Sequence, residues 1–402
     1  MHDYQPLRIA AVRPETAQAI AVTLEIPAAL TDTFRFRPGQ HLPVRAAIDG
    51  AEQRRTYSIC CGPGEGGLRI AIKRVPGGLF SNWANEMLKA GDTLDAMPPA
   101  GRFILPGGGG EPRHLVAFAA GAGITPILAM VKHALNAEPR TSFTLVYGNR
   151  SPDTILFARE LEDLKDRHLG RFTLLNTLSH SGESGGPLLE GRITADKVKE
   201  LAGSLFKPSE IAHAFLCGPG SMIKEARAAL LAIGMPAGKV HFELFGVRPS
   251  GSDTRAPARA PSPRASPTSP HAPSARGEGR GEGQRHTPTS TQVPAPHPNP
   301  LPASGERELP ATEVIAILDG VRHRFTVPPG TKVVDAALAA GVRVPYSCKG
   351  GMCCTCRARL VEGEAEMAIN YSLEPWEIER GFILTCQAVP KSQRLVVDYD
   401  QM

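Results

Sequence analysis

Apolar and polar positions alternate in short runs along the N-terminal part of the chain, at residues 7–12, 19–26, 56–60 and 68–73. Turn signals part the runs, at Pro38-Gly39, Asp49-Gly50 and Pro76-Gly77-Gly78. A succession of short alternating strands predicts an antiparallel sheet closed into a small β-barrel over residues 1–108. From about residue 112 the rhythm becomes strand then helix, repeated, with strands at 115–120, 143–147, 173–177, 214–217 and 239–242. That pattern predicts a parallel α/β, Rossmann-like domain over residues 109–247. Residues 115–131 are 17 positions without a charge, the lower limit for a membrane span. Gly121, Gly123 and Pro126 near their centre predict a buried strand, a glycine turn and a helix over 127–135 instead.

The rhythm stops after Val247. Residues 249–310 hold 14 of the 37 prolines and no Phe, Trp or Tyr, so they cannot bury enough apolar surface to offset the entropy of ordering. They read as a disordered linker, 248–311 at its widest, with a flexible span of roughly 45 Å. Beyond it, residues 313–318 and 323–327 form a predicted hairpin around Asp319-Gly320, a helix follows at 333–340, and then a cysteine-rich loop. The expectation for 312–402 is a small α+β domain, which makes the chain multidomain.

Composition narrows the chemistry. Hydrophobic content of 42%, charged content of 21% and a net charge of +5 are ordinary for soluble globular protein, and no nucleic-acid signature accompanies the charge. The N-terminus Met1-His2-Asp3-Tyr4-Gln5-Pro6 lacks a cationic segment leading into an apolar core, so a cytoplasmic protein is expected. No Ser-His-Asp set or carboxylate pair points to hydrolysis, and the twelve histidines show no metal-ligand spacing.

The eight cysteines are the strongest signal, because four of them crowd into 348–356. Cys348-x4-Cys353-x2-Cys356, followed after 29 residues by Cys386, is the ligand spacing of plant-type [2Fe–2S] ferredoxins, and that resemblance implies their β-grasp domain. Gly350 and Gly351 allow the main chain to approach the sulfurs. A zinc site would show two Cys-x2-Cys pairs, and only one is present. Cys354 fits no ligand spacing, and Cys60 and Cys61 are expected to pack in the barrel.

Two further sets of residues resemble the ferredoxin–NADP reductase superfamily. Arg55-Thr56-Tyr57-Ser58 resembles its Arg-x-Tyr-Ser signature. The resemblance implies FAD, with Arg55 on a phosphate, Tyr57 against the ring or ribityl, and Ser58 near N5. Gly77-Gly78-Leu79-Phe80-Ser81 opens a predicted helix over 82–88, where glycine-exposed amides suit the FAD pyrophosphate, with Gly78 and Ser81 as contacts. Gly121-Ala122-Gly123-Ile124-Thr125-Pro126 is the Gly-x-Gly-x-x-Pro form that the superfamily uses for nicotinamide nucleotides, so Gly121, Gly123, Thr125 and Pro126 are expected there. Cys217-Gly218-Pro219 is similar to its second nicotinamide loop. That assigns Ser58 and Cys217 to the reacting centre, Gly218 and Pro219 to the nucleotide, and Phe245 to the flavin face, with core packing the alternative for Cys217 and Phe245. Arg150 and Ser179 at strand ends favour NADPH, with NADH the alternative, because an acidic residue there would read an adenosine 2′-hydroxyl.

The order of barrel, nucleotide domain and ferredoxin resembles the reductases of bacterial multicomponent oxygenases. The stretches Arg35–His41, Ala120–Pro126, Thr144–Arg150 and Asn370–Pro375 look most like the reductase subunits of phenylacetyl-CoA epoxidases. The implied activity is electron transfer from NADPH through FAD and the cluster to the oxygenase components of a di-iron monooxygenase. Reduction of a Rieske dioxygenase or hybrid-cluster protein, or a non-enzymatic redox-sensing role, stands as the alternative. Six glutamates and no lysine or arginine between Glu362 and Glu379 suggest a docking face for a basic partner, or a solvated surface.

Overall fold

The computed structural model describes residues 4–180, 188–245, 311–373 and 375–401. The linker expected at 249–310 lies outside the described residues. The first domain contains β1 (Gln5–Thr16), β2 (Ala19–Leu24), β3 (His41–Ile48), β4 (Ala51–Ser58), β5 (Leu68–Lys73), helix α1 (Leu79–Met87) and β6 (Thr93–Ala96). The strands are ordered β4-β3-β6-β1-β2-β5, and all pairings are antiparallel. An antiparallel bridge between Ile59 and Ile70, with Cys60 N–H donating to the Arg69 carbonyl at 2.8 Å, joins the two edges and closes the barrel. Its core holds Leu7, Ile9, Val22, Leu42, Ile59 and Ile70, the inward positions of alternating strands. The sequence pattern missed β3, which carries Pro43, and the four-residue β6. Helix α1 starts at Leu79, earlier than expected, so Ser81 lies inside its first turn.

The second domain runs β7 (Arg113–Ala120), α2 (Ile124–Ala137), β8 (Thr141–Asn149), α3 (Ala158–Arg167), β9 (Phe172–Leu178), α4 (Ala195–Ser204), β10 (Ile211–Gly218), α5 (Gly220–Ala232) and β11 (Val240–Leu244). All strands are parallel in the order β11-β10-β7-β8-β9. Helices cover both faces, so successive residues of β7 are all buried: Leu115, Ala117 and Ala119 in one apolar cluster, Val116 and Phe118 in another. The uncharged run at 115–131 is thus strand, 3₁₀ turn and helix. No helix among the described residues is long and apolar enough to cross a membrane.

The first of these clusters continues across the domain boundary to Ala19, Ala21, Cys60 and Ala71 of the barrel. Burial pushes the Cys60 thiol up to about 12, which leaves it a small apolar side chain at neutral pH. An ion-pair network crosses the same boundary: Lys132 of α2 meets Glu65 at 2.6 Å and also Glu160 of α3, and Glu160 accepts two bonds from Arg69 of β5 at 2.8 and 2.9 Å. The helix that begins at the glycine turn is therefore braced against the barrel.

The C-terminal domain contains β12 (Thr312–Leu318), β13 (Val321–Val327), α6 (Val333–Ala339), β14 (Arg357–Glu362), β15 (Ala365–Met367), α7 (Pro375–Glu379), β16 (Phe382–Leu384), β17 (Ala388–Pro390) and β18 (Arg394–Asp398). A mixed five-stranded sheet, β13-β12-β18-β14-β16, has a parallel β12–β18 pair at its centre and α6 packed on it, a β-grasp arrangement. The described glutamates of the acidic run do not share one environment. Glu377 is buried between Arg357 and the barrel residue Arg102, while Glu362 pairs with Arg394 at 3.6 Å and Glu366 with Lys391 at 2.8 Å.

Candidate functional site

The closing end of β4 carries the Arg-x-Tyr-Ser motif, and two-residue alternation divides its side chains. Tyr57 packs against Phe80 of α1 with ring centres 5.9 Å apart, and burial pushes its phenol well above the usual range. Arg55 remains exposed. Gly78 is the residue before α1 and no side chain caps that end. Arg55 and the uncapped helix start are thus the groups available to an anion on this side of the barrel. The Ser81 hydroxyl accepts from Val75 N–H at 3.1 Å and donates to the Gly78 carbonyl at 3.3 Å, so it braces the glycine turn.

Ser58 faces the other way, towards a carboxylate missed in the sequence. Its hydroxyl donates to Glu243 Oε2 at 3.3 Å, and His41 Nδ1 lies 3.5 Å from Glu243 Oε1. The three groups come from β4, β11 and β3, because Ser58 pairs with His41 across the barrel sheet. His41 Nε2 is buried with no hydrogen-bond partner among the described residues. An unsatisfied buried nitrogen beside Ser58 suits the polar edge of a flavin ring. Cys217 lies opposite Glu243 in the β10–β11 register, and burial first, then Glu243, drives its thiol well up. Ser58 and Cys217 therefore meet around one shared acid.

The glycine turn before α2 abuts this centre. A side chain on Gly123 would strike the Cys217 carbonyl, so the two nucleotide loops touch through main chain. Thr125 hydroxyl donates to the Ala122 carbonyl at 3.0 Å and Tyr147 hydroxyl to that of Gly121, also at 3.0 Å. Pro126 sits in the first turn of α2, where its missing N–H costs nothing. Gly218 closes β10 and Pro219 precedes α5. Phe245 packs half-buried on the same apolar cluster as Ala122.

Arg150 and Ser179, distant in sequence, are neighbours in space. Ser179 N–H donates to the Asn149 carbonyl at 3.0 Å and His180 N–H to that of Arg150 at 2.8 Å. A third cation, which the sequence pattern did not reveal, joins them. Lys73 ends β5, its ammonium lies 3.8 Å from where a Gly121 side chain would start, and burial and Arg150 lower its pKa.

In the C-terminal domain the four spaced thiols converge as two pairs, Cys348 with Cys353 and Cys356 with Cys386. The Cys348 thiol is held down by its bond to Cys353 and by the amides of Gly350, Met352 and Cys353; the Gly350 N–H lies 3.3 Å from its sulfur. The Cys386 thiol faces the Gly351 amide and the Gln387 side-chain amide at 3.6 Å. Lys349, Gly351 and Cys354 all take left-handed backbone angles, which curls the loop around the sulfurs. Of the two loop glycines Gly351 has the less space, since a Cβ there would lie 2.9 Å from the Ile369 carbonyl. Two thiol pairs with amides facing the sulfur suit a binuclear iron–sulfur cluster. Cys354 points away, towards the Ser372 carbonyl at 3.6 Å. The stretch from Asn370 supports the loop, with Tyr371 N–H donating to the Gly351 carbonyl at 3.0 Å.

These features define a flavin- and nicotinamide-binding oxidoreductase with an appended ferredoxin domain. Family profiles agree: an oxidoreductase FAD-binding domain matches residues 13–104, an oxidoreductase NAD-binding domain 118–228, and a 2Fe-2S iron-sulfur cluster binding domain 316–391. The chain is 36% identical to a subunit of the 1,2-phenylacetyl-CoA epoxidase of Escherichia coli (strain K12), over 100% of its own length and 99% of the relative. It is 32% identical to the ferredoxin reductase component of 3-ketosteroid-9-alpha-monooxygenase from Rhodococcus rhodochrous, over 98% and 96%. Phthalate dioxygenase reductase shares the fold at a TM-score of 0.54 and 24% identity, with 98% of each chain covered. The chain belongs to the family of reductase components of oxygenases, and it is an NAD(P)H-dependent flavin and iron–sulfur electron-transfer enzyme. FAD, when bound, takes two electrons as hydride and gives them up singly to a one-electron acceptor.

Proposed function

We propose that the chain is the NADPH-dependent reductase of a cytoplasmic multicomponent di-iron oxygenase that epoxidises the ring of phenylacetyl-CoA. The observation that carries this reading is the full-length 36% identity to the epoxidase component of Escherichia coli. Ser58, Cys217 and Glu243 orient the nicotinamide and the flavin edge against each other. Arg55, Tyr57, Gly78 and Ser81 hold the flavin and its phosphates, and Phe245 covers its face. Gly121, Gly123, Thr125, Pro126, Gly218 and Pro219 bind the dinucleotide backbone, and Arg150 with Ser179 reads the 2′-phosphate. Support for NADPH comes from the adjacency of the Arg150 and Ser179 loops and the nearby Lys73. Cys348, Cys353, Cys356 and Cys386 ligate the cluster.

The test is reconstitution. Purified protein, the oxygenase components of a phenylacetyl-CoA epoxidase and NADPH should consume phenylacetyl-CoA and form the epoxide. NADPH oxidation uncoupled from any product, with robust reduction of a different oxygenase, would overturn the acceptor assignment. The second reading, a reductase for another oxygenase, draws on the 32% identity to the 3-ketosteroid-9-alpha-monooxygenase component.

A further inference from the structure

The barrel and the C-terminal domain meet along a narrow rib of alternating cations and rings. Arg54 of β4 holds its guanidinium 4.2 Å from the centre of the Tyr346 ring and 5.2 Å from that of Tyr4. Arg45 covers Tyr4 at 4.4 Å, and Lys349 lies 4.8 Å from Tyr346. The order Arg45, Tyr4, Arg54, Tyr346, Lys349 thus runs from β3 to the residue after Cys348. Clefts of about 720 and 370 Å³ open beside the rib, both lined by Arg45, Arg54 and Arg343. Among the described residues no apolar cluster joins the barrel core to that of the C-terminal domain; the rib crosses the gap on the cluster-loop side, and Arg102, paired with Glu377 and 5.2 Å from the Trp376 ring, crosses it elsewhere.

Arg54 is held for the task. Its side chain is only 16% exposed, and Nε donates to Glu52 at 2.7 Å. Strand alternation gives Arg54 and Thr56 a common face: Arg54 reaches Tyr346, and the Thr56 hydroxyl bonds that of Ser347, the residue before Cys348. Tyr57, on the opposite face of the same strand, packs against α1. One strand thereby carries Arg55 and Tyr57 of the flavin motif on one face and the seat of the cluster loop on the other.

We propose that Arg54, clamped between Tyr4 and Tyr346, is a positioning residue that seats the cluster loop against the flavin-binding end of β4 and so sets the rate of flavin-to-cluster electron transfer. The inference rests on the flavin and cluster assignments made above. A partly desolvated cation–π contact predicts a change of about 2- to 25-fold when one member is removed.

The experiment is stopped flow on FAD- and cluster-loaded protein mixed with NADPH, with flavin reduction and cluster reduction followed as separate phases. Arg54→Met and Tyr346→Leu should each slow only the second phase within that range. The double variant should be no slower than the slower single one, and Tyr346→Phe, which keeps the ring, should match wild type. Hydrogen exchange of the peptide spanning 345–349 should quicken in Arg54→Met. NADPH–ferricyanide turnover, which draws electrons from the flavin directly, should stay unchanged. Wild-type second-phase rate and exchange in Arg54→Met would overturn the inference, as would equal slowing by Tyr346→Leu and Tyr346→Phe. A wild-type chain unable to reduce ferricyanide with NADPH would overturn the functional reading and this inference with it. Normal ferricyanide turnover beside an unaltered second phase in Arg54→Met would overturn the inference alone.

Discussion

Gly123→Ala tests whether the two nucleotide loops work as a single rigid cradle. A Cβ at Gly123 would lie 2.1 Å from the Cys217 oxygen, 2.4 Å from its carbonyl carbon and 2.8 Å from the Gly218 nitrogen. Ordinary contacts between such atoms are about 3.5 Å, so the start of α2 must retreat from β10 by roughly 1 Å. The obstructing atoms are main chain in a strand flanked by β7 and β11 and cannot yield as a flexible side chain would. Over-packing of this kind costs about 1–3 kcal/mol, or roughly 2–10 °C in melting temperature for a protein of this size. The same 1 Å shift moves the nicotinamide loops relative to Ser58, and a misplacement of that size costs about 100-fold in rate. Thermal unfolding of the FAD-loaded protein and stopped-flow flavin reduction by NADPH measure the two effects. Gly203→Ala is the internal control: the site is in α4 with no atom within 4 Å of an added Cβ, so it should stabilise by about 0.5–1 kcal/mol. Wild-type melting and wild-type flavin reduction in Gly123→Ala would refute the reasoning.

Iron and sulfide analysis should show Cys353→Ser and Cys386→Ser stripped of the cluster, with Cys354→Ser retaining it; zinc in place of iron in the wild type would refute the ligand assignment. Arg150→Asp should raise the KM for NADPH more than that for NADH in steady-state assays, and equal increases would mean that this arginine does not read the phosphate. His213, hydrogen-bonded to His241 at 2.9 Å between ring nitrogens, has its pKa lowered to about 4 by burial, then by His241 and Arg113. The unfolded chain takes up that proton near the ordinary value of 6.5 and the folded chain does not, so stability is full above about 6.5 and falls as pH drops towards 4. Allowing for partial exposure the loss is on the order of 1 kcal/mol, and denaturant titrations of His213→Phe should show a flatter acid limb than wild type.

The local signals in the sequence were those that one short segment can carry. Two-residue alternation marked β1, β2 and β5, and unbroken apolar runs marked the parallel strands, because burial on one or both faces leaves a direct imprint on residue order. The cysteine spacing was equally plain, since three of the four thiols belong to one loop whose geometry depends on a few adjacent residues. β3 and β6 left no such mark: Pro43 interrupts one and the other has four residues, so each owes its place to neighbouring strands. The Glu243 carboxylate looked like an ordinary strand residue until parallel pairing set it beside Cys217 and the barrel edge brought Ser58 and His41 to it. Lys73, Arg150 and Ser179 are likewise assembled from two domains, and Arg54 meets Tyr346 across 291 intervening positions. Contacts between residues that far apart are selected by packing of whole domains, and no periodicity within either segment records them. The acidic run shows the same division: its composition is visible in the sequence, but only the tertiary structure buries Glu377 between two arginines and leaves Glu362 and Glu366 in surface ion pairs.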